Sequence, residues 1–523
     1  MANRLKSGTA PAVLRKFGIN ETYQLAMYLL DQYRGTILSC RYAIPPRLAL
    51  AESRSRLEKT VKIAIVDTIL RHPMLQVSIL DATSKTPSWI QLQSLDLTQH
   101  INWLYIGRHD DFEQTVQDTF RVQLDDRFPD LSIKQPGWKI TIIRQGDATT
   151  MEVLLTWNHP HFDAIGAKVF HEDFLLMLSN AENGAHERMG LDGDILRLPE
   201  SPPLLPAPIE SLMDLPVDLK HLVKAFWEEN RPQFLNWDVS QAAWCPIRSS
   251  PYKTQYRAFF MDNASLLKIL TLCRQNATTI TGLLNGLALI AFSAHLDSTV
   301  APAFQSSTII DHRRNLPPAP SDAPWVRSDR AMANYVTQLP HKFDTELVTR
   351  IRSKLPANAS VERELSADLQ RELWAVSAQN RLEISRKLEA GLRNDLVGLF
   401  KYVTDWQRTM RDMAKKRRLF TWLVTNIGVL DGNASMTLDT TTTQPPTGSD
   451  TMSDDNQRWS IHRAQFGLSA EIPAAAIEFA PVSVAGRGMC VSAIWPDCAV
   501  DAALGESIVA DLERWLAQLA RQS

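Results

Sequence analysis

The sequence predicts an α/β protein built from two halves of similar size. Segments rich in β-forming residues alternate with segments whose apolar residues recur at helical spacing, and this alternation runs through both halves. Between the halves lies a region with little periodicity, which is crowded with prolines: Pro199, Pro202, Pro203, Pro206, Pro208 and Pro216. We therefore expect an N-terminal lobe over 1–180, a connection over 181–250 and a C-terminal lobe over 251–523.

The first half reads as alternating helices and strands. Apolar residues at helical spacing predict the helices, and runs of β-branched and aromatic residues predict the strands. The predicted helices are 18–33, 52–70, 111–122 and 167–178, and the predicted strands are 36–44, 74–80, 88–92, 139–144 and 151–157.

The second half repeats this pattern with longer helices. Thr279 is a plausible N-cap for one of them. The predicted strands are 252–260, 304–310, 332–339, 420–426, 459–466, 477–479 and 488–495, and the predicted helices are 263–273, 279–296, most of 361–416 and 501–519. A further helix near 220–229 is expected within the connection 181–250. The stretch 435–456 is polar and rich in threonine, which predicts a surface loop.

Composition excludes several classes of protein. The hydrophobic content of 44% and the charged content of 22% are ordinary for a globular protein. The formal net charge of −2, with both signs interspersed, argues against a nucleic-acid binder. The five cysteines follow no metal or disulfide spacing, and the sequence shows neither a signal peptide nor a run of about 20 apolar residues. We expect a cytoplasmic monomer without a membrane span.

One stretch, residues 157–166, combines two histidines and an aspartate at the junction between a predicted strand and a predicted helix. His159 and Asp163 form a His-x-x-x-Asp pattern that suits acyl transfer, because a neutral imidazole can accept the proton of an attacking alcohol. Direct transfer needs no serine or cysteine nucleophile, and the chain has no Gly-x-Ser-x-Gly motif. In this interpretation Asp163 holds the turn, caps the helix or pairs with an arginine.

The same stretch also contains the pattern His159-x-His161-x-Asp163, which is typical of zinc hydrolases. In those enzymes a further histidine follows the aspartate, whereas this chain has Ala164. Zinc sites need three or four converging ligands, and the sequence supplies only part of such a set. The zinc hydrolase is thus the weaker alternative, and His161 is either a site-lining residue or a satisfied structural one.

Motifs spread along the chain resemble those of fungal alcohol O-acetyltransferases. These belong with the BAHD acyltransferases and the peptide-synthetase condensation domains in the chloramphenicol acetyltransferase-like superfamily. The family motif His-His-x-x-x-Asp-Gly corresponds to residues 158–164, with Asn158 in place of the first histidine and Ala164 in place of the glycine. Further similar segments are 18–23, 311–316, 333–335 and 424–429.

The resemblance implies two chloramphenicol acetyltransferase-like lobes with a tunnel at their interface. His159 would be the general base, and Asp163 would be a scaffold paired with Arg313 or Arg41. Hydrogen-bond donors for the thioester oxyanion would come from Thr425 or Asn426.

The reaction expected from the resemblance is acyl-CoA-dependent O-acylation, most simply acetylation, of a small secondary metabolite. Acyl-CoA would be a co-substrate, with no bound cofactor and no metal. The alternative in the same superfamily is a condensation or offloading enzyme that takes its acyl group from an acyl-carrier protein.

Overall fold

The computed structural model describes residues 12–128, 135–183, 188–230, 238–248, 251–318, 328–356, 364–433 and 458–522. The predicted loop 435–456 lies outside the described residues. Within them the chain forms two large mixed sheets flanked by helices, and each sheet has its own hydrophobic core. This architecture confirms the predicted α/β class and its two lobes.

The sheet that carries the His-x-x-x-Asp segment is called the motif sheet below. Its strands, in spatial order, are Ser460–Leu468, Thr36–Ala43, Thr150–Trp157, Trp138–Gln145 and Ile101–Ile106. Neighbouring strands are antiparallel except for the last pair, which is parallel.

The strand Thr150–Trp157 lies at the centre of the motif sheet, and every residue after Thr150 is buried. This burial on both faces explains its nearly continuous apolar sequence. The helix Ala164–Asn183 follows the strand and packs against the helix Arg54–Arg71 on one side of the motif sheet. The junction between strand and helix is therefore anchored from both directions.

The second sheet is called the large sheet. Its strands run in the spatial order Thr254–Asp262, Gly488–Pro496, Ala475–Val484, Phe420–Val424, Phe304–Asp311 and Val336–Phe343, with Gly428–Leu430 also paired to Ala475–Val484. Phe420–Val424 is parallel to both of its neighbours, and the other pairs along this path are antiparallel.

Two small sheets lie on the N-terminal lobe. One pairs Val13–Lys16, Ser88–Gln91 and Val77–Leu80, and the other pairs Ser94–Asp96, Ile195–Arg197 and Leu191–Asp192.

The remaining helices surround the sheets, and side-chain caps fix where many of them begin. Asp111, Asp262, Thr279, Asp344 and Ser366 each accept a hydrogen bond from the backbone N–H three residues further on. The α-helices not given above are Ile19–Leu29, Pro46–Ala49, Phe112–Asp125, Ile209–Leu212, Leu219–Asn230, Asn263–Gln275, Ile280–His295, Thr345–Arg352, Ala367–Ala390, Leu396–Phe400, Trp406–Met413 and Ala502–Gln522.

The structure differs from the prediction over residues 332–339 and 101–106. The strand expected over 332–339 begins only at Val336, because residues 331–335 instead supply backbone groups to the site described below. The strand Ile101–Ile106 had no counterpart in the prediction, since its Ile-Asn-Trp-Leu-Tyr-Ile sequence has little alternation.

The C-terminal part of the chain contributes a strand to the motif sheet. Ser460–Leu468 pairs with Thr36–Ala43 and also lies beside Ala475–Val484 and Gly488–Pro496 of the large sheet. The division into 1–180, 181–250 and 251–523 stays a prediction. The motif sheet takes this one strand from the predicted C-terminal lobe.

No single helix in the described part of the chain is both long and apolar enough to cross a membrane. The helices Asn263–Gln275 and Ile280–His295 would qualify together by length and composition alone, but they meet at 89°.

Candidate active site

The segment after the strand Thr150–Trp157 is a tight, hydrogen-bonded turn. The backbone N–H of Asn158 donates to Gly137 O (2.8 Å), and that of His161 donates to Asn158 O (3.2 Å). The indole N–H of Trp157 donates to Phe162 O (2.7 Å) and closes the turn from below. The backbone at His159 is therefore held rigidly, as a preorganised site requires.

Asp163 is buried and ties this turn to the C-terminal lobe. Its carboxylate forms a two-point ion pair with Arg313, whose Nη1 and Nη2 each lie 2.8 Å from one oxygen. It also accepts the backbone N–H groups of Gly166 (3.1 Å) and Tyr335 (3.0 Å). Asp163 is thus both the cap of the helix Ala164–Asn183 and the partner of an arginine.

Both terminal nitrogens of Arg313 make several hydrogen bonds. Its Nη2 also donates to Ala331 O and Ala333 O, both at 3.0 Å, and its Nη1 donates to Asp311 (2.9 Å). Burial alone would lower the pKa of Arg313, but the carboxylates of Asp163 and Asp311 outweigh that effect and raise it. The guanidinium is charged and binds the two lobes together.

Arg41, the other arginine expected to pair with Asp163, is placed elsewhere. It lies on the strand Thr36–Ala43, where its Nε donates to the buried Glu152 (2.8 Å) and its Nη1 to Glu113 (2.6 Å). The prediction of Arg41 as a partner of Asp163 is therefore wrong. Arg41 lies opposite Glu152 on the neighbouring strand Thr150–Trp157, and the ion pair with that carboxylate occupies its guanidinium.

His159 is partly exposed and lies at the top of the turn. Its Nδ1 is buried and has no hydrogen-bond partner among the described residues, and its ring lies 5.5 Å from the ring of Tyr33. Burial lowers the pKa of His159 below its ordinary value, although the nearby Asp163 opposes this shift. The imidazole is therefore neutral near pH 7, the form that can accept a proton.

Asn334 positions the backbone of His159 and was not among the predicted site residues. Its Nδ2 donates to His159 O (2.7 Å) and to Pro160 O (3.1 Å). Asn20, on the helix Ile19–Leu29, donates in turn to Asn334 O (3.4 Å) and Val336 O (3.3 Å). Both residues lie in family-like segments, Asn334 in 333–335 and Asn20 in 18–23, but the sequence did not indicate that the two would meet.

His161 points away from the site and is fully buried. Its Nδ1 hydrogen-bonds Asn158 Oδ1 (3.1 Å), its Nε2 accepts the N–H of Gly137 (3.1 Å), and its ring packs edge-on against Trp89. Burial lowers the pKa of His161 to about 3. With both ring nitrogens used, His161 is a structural residue, and its expected role in substrate binding is corrected.

This geometry also contradicts the zinc alternative. The carboxylate of Asp163 is held by a guanidinium, and neither ring nitrogen of His161 is free to bind an ion. Among the described residues, no group of three or more His, Cys, Asp or Glu side chains converges as metal ligands would.

The two departures from the family motif are accommodated locally. Asn158, in place of the first histidine, supplies the acceptor that orients His161. Ala164 is the first residue of the helix, so the glycine found there in the family is not needed for a positive φ. Gly166 has the tight contacts instead, because a Cβ there would lie 2.9 Å from Phe162 Cβ and 3.1 Å from Met332 Cα.

Thr425 and Asn426 follow the strand Phe420–Val424 in the large sheet. The backbone N–H of Thr425 donates to Phe479 O (2.9 Å), so only its buried side-chain hydroxyl can serve as a donor. Asn426 is exposed, and its side chain donates to Thr281 (3.1 Å) and accepts the N–H of Gly428 (2.8 Å). Asn426 therefore shapes the turn after the strand, while Thr425 remains the candidate donor.

Two buried histidines, His161 and His171, are expected to make the stability of the protein depend on pH. Burial lowers the pKa of His161 to about 3 and that of His171 to about 4, whereas both titrate near 6.5 in the unfolded chain. Between pH 6.5 and 4 the unfolded state binds more protons, so the free energy of unfolding falls as pH falls, by up to about 1.4 kcal/mol per pH unit for each histidine.

The variant His171→Gln tests this expectation. Glutamine can replace the bonds of His171 to Leu38 O (3.0 Å) and to the hydroxyl of Tyr42 (2.9 Å) without titrating. Urea unfolding between pH 7 and pH 4 should show a shallower loss of stability than in the wild type. Identical slopes for the two proteins would contradict the assignment.

Known proteins share this fold and these sequence features. The family model for alcohol acetyltransferases matches residues 108–435. FCK4, a probable alcohol acetyltransferase of Fusarium pseudograminearum, is 23% identical over 530 residues, which cover 98% of this chain and 97% of that protein. The chain is also similar, at 21% identity over 68% of its length and 74% of the other, to an uncharacterized protein of Schizosaccharomyces pombe.

Among solved structures, the trichothecene 15-O-acetyltransferase TRI3 from Fusarium sporotrichioides superposes with a TM-score of 0.63 over 99% of both chains, at 13% identity. The starter condensation domain of rhizomide synthetase RzmA, in complex with C8-CoA, superposes with a TM-score of 0.53 at 12% identity, covering 97% of this chain and 94% of that one.

These two structures therefore share the fold of this chain. The family model spans more than half of the sequence. The chain belongs to the alcohol acetyltransferase family, and it is an acyltransferase.

Proposed function

We propose that this protein transfers an acetyl group from acetyl-CoA directly to a hydroxyl group of a small secondary metabolite, with His159 as the general base. The observation that carries the proposal is the state of His159: a partly exposed imidazole, kept neutral by burial, on a turn fixed by the Asp163–Arg313 ion pair.

The reaction needs no covalent intermediate on the enzyme. His159 removes the proton of the acceptor hydroxyl while the hydroxyl oxygen attacks the thioester carbonyl, forming the new C–O bond. The tetrahedral intermediate then collapses, the C–S bond breaks, and the proton held by His159 passes to the departing thiolate of CoA. The products are the acetyl ester and free CoA.

Two further groups support this step. The hydroxyl of Thr425 is our candidate donor to the oxyanion, since a preorganised donor in a dry site stabilises that charge strongly. Asp163 does not take part in proton transfer, because Arg313 and two backbone N–H groups occupy its carboxylate. Its role is to hold the turn that carries His159.

The choice of donor and acceptor rests on the relatives. The RzmA domain binds an acyl-CoA on the same fold, and TRI3 acetylates a hydroxyl of a trichothecene. We therefore propose acyl-CoA as the co-substrate and a hydroxylated small molecule as the acceptor. Both would meet at His159 in a tunnel between the motif sheet and the large sheet.

Mass spectrometry of products tests the proposal. The purified protein is incubated with an extract of small metabolites and either acetyl-CoA or an acetylated acyl-carrier protein. Products heavier by one acetyl group should form with acetyl-CoA. Product formation with the carrier protein alone would favour the offloading enzyme, and the absence of product with both donors would contradict the proposal.

A further inference from the structure

A second set of polar side chains lies on and beside the large sheet, and the proposed reaction does not use it. The set comprises Glu471, Glu478, Arg418 and Thr421. Glu478 is 2% exposed, and both Arg418 and Thr421 are 0% exposed. We refer to these four residues as the buried polar cluster.

Glu471 lies in the segment that links the strands Ser460–Leu468 and Ala475–Val484, and so passes from one sheet to the other. The hydroxyl of Tyr23 donates to its Oε1 (3.2 Å). Just beyond it, the N–H of Ile472 donates to Gln32 O (2.9 Å). Glu471 is therefore fixed against the start of the N-terminal lobe.

Tyr33 connects the buried polar cluster with the active site. Its hydroxyl hydrogen-bonds Thr36 (2.6 Å), and its ring lies 5.5 Å from the ring of His159. Burial raises the pKa of Tyr33, and the nearby carboxyl groups of Glu471 and Glu478 raise it further. The cluster is thus close enough to Tyr33 to act on it electrostatically.

The register of the large sheet brings the other members together. Glu478 pairs with Leu423 on the parallel strand Phe420–Val424, so these two side chains point to the same face. Thr421 lies two residues before Leu423 and shares that face, as does Thr425 two residues after it. Arg418 reaches the cluster from just before this strand, where its Nη1 donates to Ala475 O (2.9 Å).

Three polar atoms of the cluster have no hydrogen-bond partner within the described residues: Glu478 Oε2, Thr421 Oγ1 and Arg418 Nη2. Leaving a buried polar atom without a partner destabilises a protein, because the atom loses its hydrogen bonds to water and gains none in return. Glu478 and Thr421 share one face of the large sheet with the candidate oxyanion donor Thr425, and a ligand on that face would supply the missing partners.

The chemistry of the cluster points to a neutral hydroxyl as that partner. A hydroxyl both donates and accepts, which matches a carboxyl oxygen, a threonine hydroxyl and a guanidinium N–H together. Burial raises the pKa of both Glu471 and Glu478, and the mutual repulsion of the two carboxylates adds to this for Glu478. These raised pKa values favour the uncharged carboxyl form, and with Arg418 beside it the cluster has little attraction for an ammonium group.

We infer that Glu478, together with Thr421 and Arg418, binds a second hydroxyl group of the acceptor, so that the preferred acceptor is a diol or polyol acetylated at its other hydroxyl. This inference rests on the proposed function, since it assigns the acceptor to the His159 site. It identifies Glu478 as a residue that determines acceptor specificity.

The test compares α,ω-diols of about four to ten carbons with the 1-alkanols of the same length, using acetyl-CoA as donor. A site built to bind a hydroxyl rejects the analogue that lacks it. At the best chain length, we expect kcat/KM for the diol to exceed that for the alkanol by about tenfold to hundredfold. Two equivalent hydroxyls alone would give a factor of about two.

Three variants assign the preference to the cluster. Glu478→Met keeps the volume but removes the polar group, and should reduce the diol preference to the statistical factor. Thr421→Val is nearly isosteric and should reduce it several-fold. Glu478→Gln keeps an uncharged hydrogen-bonding group and should retain most of it.

The inference is overturned if the wild type shows only the statistical preference at every chain length. It is also overturned if the Met and Val variants, folded as judged by circular dichroism, lose activity on diols and alkanols in equal proportion, because that pattern indicates a purely structural cluster. Failure of the proposed function looks different: the wild type would then acetylate neither series of acceptors.

Discussion

Replacing His159 with alanine is expected to lower kcat by about a hundredfold to ten-thousandfold, the range that a positioned general base contributes. The fold should persist, because the imidazole Nδ1 of His159 has no hydrogen-bond partner among the described residues, while Asn334 holds the backbone carbonyl of His159. Steady-state kinetics with acetyl-CoA and the identified acceptor would measure the loss.

The pH dependence of the wild type gives a second measure of the same group. Because burial lowers the pKa of His159, kcat/KM should fall with acidification only below pH 6.5, as the imidazole becomes protonated. The exposed His109 provides a matched control, and His109→Ala should keep full activity and the same pH profile. A folded His159→Ala protein with unchanged kcat would exclude His159 as the base.

Replacing Arg313 with methionine is expected to destabilise the protein by about 3–5 kcal/mol. The substitution leaves the Asp163 carboxylate buried with only two backbone N–H donors, and a buried charge without its partner is costly. Arg313→Lys should lose less stability, because one ammonium keeps the charge but cannot hold both carboxylate oxygens. Denaturant unfolding of each variant would measure these losses.

Two controls separate the ion pair from a general effect of losing an arginine. Arg393→Ala removes an arginine from a surface pair with Asp218, and such a pair is worth only about 0–1 kcal/mol. The double variant Asp163→Asn with Arg313→Met should lose less than the sum of the two single losses, because the partners are coupled. Additive losses, or a loss at Arg313 no larger than at Arg393, would contradict the role of the pair.

The local structure of the site could be predicted from the sequence because the signals there are local. The apolar run before Trp157 predicts a buried strand, and the spacing after Asp163 predicts a helix with an aspartate at its start. The family-like segment 311–316 also brought Arg313 into consideration as a partner of Asp163.

Contacts in the site between residues far apart in the sequence could not be predicted from such local signals. Arg41 and Arg313 looked equivalent in the sequence, and only the packing of strands shows that Arg41 meets Glu152. The roles of Asn20 and Glu478 depend on which segments the fold brings together, and a single asparagine or glutamate does not indicate its long-range partner in the sequence. The role of His161 was ambiguous, because the sequence alone does not distinguish a histidine that binds a substrate or metal from a buried histidine whose ring nitrogens are hydrogen-bonded within the protein.

The strand Ser460–Leu468 has a consequence for the order in which the protein is made. It forms the edge of the motif sheet by pairing with Thr36–Ala43, so this strand pair joins segments that are more than 400 residues apart in the sequence. Contacts between such distant residues form slowly, since a long loop must close before they are gained. During synthesis, the motif sheet is therefore completed only after residues 460–468 have left the ribosome, long after the segment that carries His159.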